Sequence, residues 1–166
     1  MTRPPLLVIG VGNPSRGDDA LGPLLLARLR EWVGKNGLED RIELLEDFQL
    51  QVEHAADLQE RERVLFLDAG VNTPPPYTVD RVQPHPGRAV LSHALPPEDV
   101  LATYVRVFQS QPPPSFLLCI SGAAFELGAT LSRDAVHNLE AAYAFAIRLI
   151  PATDLAAWDA LLHGPG

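Results

Sequence analysis

Apolar positions along the chain fall into two rhythms, unbroken short runs and helical repeats. Leu6-Leu7-Val8-Ile9 is a continuous apolar run closed by Gly10, the pattern of a strand buried on both faces. Leu21, Leu24, Leu25 and Leu29, followed by Trp32 or Val33, repeat at helical spacing, and Gly34 and Gly37 stop that helix. Ile42 to Leu45 predicts a second strand. Val52 to Leu58 predicts a short helix with Val52, Ala55, Ala56 and Leu58 turned inward. Val64-Leu65-Phe66-Leu67 is the clearest central strand, with Asp68 at its C-terminal end. Thr73-Pro74-Pro75-Pro76 reads as a stiff loop, because proline fixes φ and removes a ladder donor. Tyr77 to Val82 alternates like an edge strand. Val100, Leu101, Tyr104, Val105 and Phe108 mark a helix introduced by Pro96 and Pro97. After Gln111-Pro112-Pro113-Pro114 comes a strand from Phe116 to Ile120. Ser132 is placed to cap a last long helix with the stripe Val136, Leu139, Tyr143, Ala146, Ile147 and Ile150, ended by Pro151.

Strands alternating with helices predict a single-domain three-layer α/β/α sandwich around a mostly parallel sheet of about five strands. One domain is expected to span residues 1–166, with 151–166 forming a short C-terminal helix and a frayed tail. No internal repeat interrupts this plan. In such folds ligands sit beyond the C-terminal ends of the strands, where the strand order reverses. The segment Gly10 to Asp19 follows the first strand, Glu46-Asp47 the second and Asp68 the third, so acidic residues gather where a site belongs.

Composition narrows the function. The chain has 166 residues, 46% of them apolar and 20% charged, ordinary values for one globular core. Thirteen basic against 21 acidic residues leave a net charge of −8, and no basic stretch exists to displace counterions from a nucleic acid. The charge also disfavours a membrane surface. The run Leu6–Ile9 is too short for a signal-peptide core or a membrane span. Cys119 is the only cysteine, which excludes a disulfide framework and a thiolate metal cage and fits a reducing cytoplasm.

The richest stretch is Gly10-Val11-Gly12-Asn13-Pro14-Ser15-Arg16-Gly17-Asp18-Asp19-Ala20-Leu21-Gly22. A strand, a glycine turn and a helix start suggest a dinucleotide fingerprint, but the third glycine would fall at Ser15. No P-loop lysine follows; Lys35 is the one lysine in the chain. Adjacent carboxylates at a helix N-terminus would also repel a pyrophosphate. The bland alternative is a tight βα connection with Asp19 as the helix cap, yet one cap needs only one carboxylate. Asp68, at the end of an apolar strand, must be solvated, paired or bound to a cation. His93, in Ser92-His93-Ala94-Leu95, would alone be read as a surface or capping residue. Together the three offer two carboxylates and an imidazole from separate loops, a donor set that suits zinc, nickel or iron with positions left open. His54, His85, His137 and His163 are expected on the surface, and Cys119 in the core. Serine catalysis lacks its G-x-S-x-G elbow.

On these residues the chain resembles the hydrogenase maturation proteases from Leu6 to about Ile150. The specific element is Gly10-Val11-Gly12-Asn13 followed by Gly17-Asp18-Asp19-Ala20-Leu21-Gly22. The resemblance implies that Asp19 is the first metal-contacting carboxylate, that Asp68 in Leu67-Asp68-Ala69 is the second, and that His93 is the histidine. These three are then both metal-contacting and catalytic. Asp19 stands where some relatives carry Glu, one methylene longer. Many relatives have Asp-Gly-Gly-Thr after the second strand, whereas this chain has Glu46-Asp47-Phe48-Gln49-Leu50-Gln51. The glycines' backbone freedom is gone, so this loop is expected to read a different hydrogenase class. Asp18, Glu46, Asp47 and Gln49 are the expected substrate contacts.

The resemblance implies an aspartyl-type endopeptidase that activates a nickel-iron hydrogenase by removing the C-terminal extension of its large-subunit precursor after nickel insertion. Nickel would come with the substrate, and no tightly bound cofactor of its own is expected. The expected partner is that precursor, met by a monomer, with no nucleic acid or membrane involved. The metal could polarise the carbonyl, activate water or only position the chain, and a carboxylate base is an alternative. Two other readings stand beside this one: a non-catalytic nickel- or precursor-binding maturation chaperone, and a nucleotide-binding α/β domain.

Overall fold

The computed structural model describes residues 2–85 and 95–163. The sheet has five strands: β1 (Leu6–Val11), β2 (Ile42–Asp47), β3 (Arg63–Gly70), β4 (Tyr77–Val82) and β5 (Ser115–Ser121). Their order is β2-β1-β3-β5-β4, all parallel except β4, which runs antiparallel to β5 along the edge. The helices are α1 (Leu21–Lys35), α2 (His54–Asp57), α3 (Pro97–Phe108), α4 (Arg133–Leu149) and α5 (Leu155–His163). This is the expected three-layer sandwich with a mostly parallel sheet.

Alternation along the strands sorts the core into two layers. Leu6, Val8, Leu65, Leu67, Phe116 and Leu118 pack against α1, α4 and α5. Leu7, Ile9, Val11, Val64 and Phe66 face α2 and α3 through Ala55, Leu58, Val100, Leu101 and Tyr104. A strand buried on both faces cannot alternate apolar with polar, which is why β1 and β3 read as unbroken runs. Trp158 of α5 is fully buried against Phe116, with ring centroids 5.0 Å apart, and its indole N–H donates to the Ala152 carbonyl at 2.8 Å. Helix α5 therefore seals the N-terminal ends of the strands and leaves their C-terminal ends open.

Three expected faces are corrected. Helix α4 buries Ala135, Asn138, Leu139, Ala142, Phe145, Ala146 and Leu149, while Val136 is exposed. Leu139, Ala146 and Ile150 of the expected stripe are buried and Tyr143 and Ile147 pack at its margin, while Ala135, Asn138, Ala142, Phe145 and Leu149 complete the inward face. Leu24 is likewise exposed, and Leu26 takes its place in the core. Around α2 the inward set is His54, Ala55 and Leu58; Val52 and Ala56 face solvent. A helix of four residues has too short a period to fix its own face, so its contact with α3 decides. Helix α1 runs through Gly34 and ends at Asn36, whose side-chain amide donates to the Trp32 carbonyl at 2.7 Å.

Candidate active site

The chain leaves β1 toward β2 on one side and leaves β3 toward β4 and then β5 on the other, so the order reverses between β1 and β3. A cleft of about 680 Å³ opens beyond these strand ends. Its walls include Gly12, Asn13, Arg16 and Asp19 after β1, Asp47 to Gln51 after β2, Asp68 on β3, and Leu95 to Pro97 leading into α3. A space of this size admits a peptide segment. Asp19, Asp47, Gln49 and Asp68, expected at the site from the sequence, do meet in one cleft. His93 lies outside the described residues. Among the described residues no three metal-capable side chains come together as a metal cluster; Asp19 and Asp68 supply two carboxylates.

The turn after β1 is built around Asp19. Its Oδ2 accepts the Asn13 N–H at 2.8 Å, and Asn13 Oδ1 accepts the Ser15 N–H at 2.9 Å. Asp19 thus braces the turn from inside and does not cap α1, whose start has no side-chain cap. Gly12 has φ +148, and a Cβ there would lie 2.0 Å from the Asp19 carbonyl oxygen. Gly17 has φ +56, and a Cβ would lie 2.2 Å from the Ala124 carbonyl. Only glycine permits both approaches, which gives the glycines of this motif a local physical reason.

Asp18, expected as a substrate contact, does not line the cleft. It is fully buried and turned away from the cleft, toward the segment after β5. Oδ2 accepts the Ala123 N–H at 2.7 Å, the Ala124 N–H at 3.0 Å and the Ser132 hydroxyl at 2.6 Å; Oδ1 accepts the Ser132 N–H at 2.8 Å. Burial pushes its pKa upward, but these four bonds outweigh it and hold the carboxyl below the ordinary value of 3.8. The two neighbouring aspartates therefore divide the work: Asp18 clamps the fold, and Asp19 faces the cleft.

Asp68 behaves in the opposite way. Burial raises its pKa from 3.8 to about 6; the N–H of Ala69, which donates to Oδ1 at 2.8 Å, lowers it, and the charge of Asp19 raises it. Asp68 is thus a half-buried carboxylate that gives up its proton less readily than an ordinary one, with a like charge nearby. Beside it across the register, Cys119 shares a contact of 3.2 Å with the Thr73 hydroxyl, and burial raises its thiol pKa.

After β2 the geometry departs from sequence expectation twice. Glu46 is exposed on the edge strand and does not line the cleft, because Asp47 follows it with the opposite strand parity. Asp47 does line the cleft, and its Oδ1 accepts the Phe48 N–H at 2.7 Å. His54, expected on the surface, is only 6% exposed. Its Nδ1 accepts the Gln51 N–H at 2.9 Å, and its Nε2 lies 3.3 Å from Asp47 Oδ2. Sequence reading also passed over Asn13 and Arg16 as cleft walls. Asn13 stood within the quoted motif and could have been singled out as a turn former; His54 carried no such signal.

No family model matches the sequence, and no curated protein matches it. Solved structures do. The [NiFe] hydrogenase maturation protease HycI from Thermococcus kodakarensis KOD1 superposes with a TM-score of 0.67 at 22% identity, covering 91% of this chain and 94% of its own. The hydrogenase maturating endopeptidase HybD from E. coli gives 0.65 at 21% identity, covering 89% and 91%. An endopeptidase from Escherichia coli, solved in solution, gives 0.66 at 23% identity, covering 89% and 91%. With its two carboxylates in a cleft at the switch point, the chain shares the fold of the hydrogenase maturation endopeptidases.

Proposed function

We propose that this protein is an endopeptidase that removes the C-terminal extension of a nickel-iron hydrogenase large-subunit precursor once nickel has been inserted. The observation that carries the reading is Asp68: a half-buried carboxylate, its pKa raised by burial and by the charge of Asp19, at the switch-point cleft of a fold shared with such proteases. Nickel arrives as part of the substrate. Asp19 and Asp68 supply oxygen ligands, and His93 supplies an imidazole. Leu95, two residues beyond His93 in sequence, lines the same cleft, which supports this assignment. Before nickel arrives, the two carboxylates repel each other; a divalent cation cancels that repulsion and the burial penalty together. Binding energy is therefore realised only with a loaded precursor, which makes nickel insertion a checkpoint. Held through its metal, the precursor lies along the cleft with one peptide bond near the carboxylates, and hydrolysis adds water across that bond.

Mass spectrometry of the large subunit after incubation tests this. The nickel-loaded precursor is expected to lose its extension and the nickel-free precursor to stay whole. Asp19→Asn, Asp68→Asn and His93→Ala are expected to process at least tenfold more slowly, since each removes one ligand while the metal's affinity depends on all. Full activity in all three variants would refute the site. Tight binding of loaded precursor without cleavage would identify a maturation chaperone instead. No helix among the described residues is long and apolar enough to cross a membrane.

A further inference from the structure

The pair Asp47–His54 is not used by the proposed cation binding at Asp19 and Asp68. Asp47 lines the same cleft as those two carboxylates. Its two oxygens are held from behind. Oδ1 takes the Phe48 N–H, and Oδ2 faces His54 Nε2 at 3.3 Å. The imidazole has no freedom to choose its tautomer. The Gln51 N–H occupies Nδ1, so the neutral ring carries its proton on Nε2, the atom turned to Asp47. The ring is itself buried at the start of α2. Each carboxylate oxygen has two lone pairs. The Phe48 N–H takes one on Oδ1, Oδ2 stands in a 3.3 Å ion-pair contact with His54 Nε2, and the remaining lone pairs are left for whatever enters the cleft.

We propose that His54 is a positioning residue that holds the Asp47 carboxylate toward the cleft, where Asp47 accepts a main-chain N–H of an extended peptide segment. This rests on the proposed function above, because the segment is that of the precursor lying across Asp19 and Asp68. A main-chain donor is the partner because Asp47 ends the edge strand β2, where an extended chain presents N–H groups at regular spacing. Beside it Phe48, 63% exposed, provides an apolar surface on which the same segment rests. The role is in binding and not in chemistry, so it belongs to KM.

Steady-state cleavage of nickel-loaded precursor by the full-length protein tests the assignment. Asp47→Asn and His54→Leu are each expected to raise KM about tenfold, the loss of one hydrogen bond to a charged acceptor, with kcat little changed. The double variant is expected to be no worse than either single one, because both break the same link. His54→Gln, whose amide N–H can take the place of Nε2–H, is expected to restore most of the loss; a purely structural role would leave it as impaired as His54→Leu. A precursor-free measurement accompanies this: imidazole ¹⁵N spectra should show Nδ1 bare and Nε2 protonated, and Asp47→Asn should move the Nε2 signal. Wild-type KM in Asp47→Asn, additive losses, or a protonated Nδ1 would overturn the inference while leaving a cleaving wild type, and hence the functional reading, intact. A wild type that neither binds nor cuts the precursor would overturn both, and the two failures are thereby told apart.

Discussion

Replacing Asp18 by Asn changes one atom and almost no volume, yet it should be among the most damaging single changes in this chain. The carboxylate accepts from the N–H groups of Ala123, Ala124 and Ser132 and from the Ser132 hydroxyl. An amide has one acceptor and one donor. With its oxygen toward Ala123 and Ala124, its NH₂ meets the Ser132 N–H; flipped, it meets the other two. Donor faces donor in either pose. At least one bond to a charged acceptor is lost, each worth about 1.5–3 kcal/mol, and a buried N–H is left unsatisfied. The net loss is expected to be about 3 kcal/mol, which for a chain of this size lowers Tm by about 6–12 °C. Asp18→Ala should lose slightly more, about 3–5 kcal/mol, because all four donors lose their acceptor. The pH dependence has a definite sign. The folded carboxyl sits below 3.8, so its ionisation stabilises the fold above the unfolded carboxylate value and this contribution fades as pH falls through the folded value. The gap between wild type and Asp18→Asn should be full at pH 7 and narrow below pH 3.8. Urea unfolding followed by circular dichroism at a series of pH values measures it. A loss under about 1 kcal/mol at pH 7, within the range of an ordinary single hydrogen bond, would refute the clamp.

Asp68→Asn should do the reverse to stability. Burial places the folded pKa at about 6 against 3.8, so charging Asp68 works against the fold as pH rises from about 4 through 6, by up to about 3 kcal/mol. The variant should melt higher than wild type at pH 8, converge with it near pH 4, and fail to process precursor; equal melting at pH 8 would contradict the burial argument. Gly12→Ala sets a Cβ 2.0 Å from the Asp19 carbonyl in a backbone region closed to alanine, so it should destabilise by more than about 1 kcal/mol and displace Asp19, seen as lower Tm with weaker divalent-ion binding. Exchanging residues 46–51 for the Asp-Gly-Gly-Thr type of loop should change which precursor is cut while divalent-ion affinity at Asp19 and Asp68 stays the same; unchanged precursor preference would make the loop a mere connector.

Local rhythm was enough to place the five strands, the main helices and the acidic ends of β1, β2 and β3, because a parallel sheet buried on both faces needs unbroken apolar runs and its ligand cleft must lie at their C-terminal ends. The glycine-acid motif after β1 was legible for the same reason: Gly12 and Gly17 are demanded by backbone contacts that no other residue allows. Sequence could not say which carboxylate of an adjacent pair turns inward. Asp18 and Asp19 are alike as letters, and what separates them is the segment Gly122 to Ser132, more than a hundred residues later, which delivers four donors to one of them. His54 was misread as a surface residue for a related reason. Its burial depends on the path of the loop from Phe48 to Glu53 and on the packing of α2 against α3, and a four-residue helix has no periodicity from which that face could be read. Spacing along the chain determines which residues arrive at the open end of the sheet; only the long-range contacts decide whether each one, once there, braces the fold or faces the cleft.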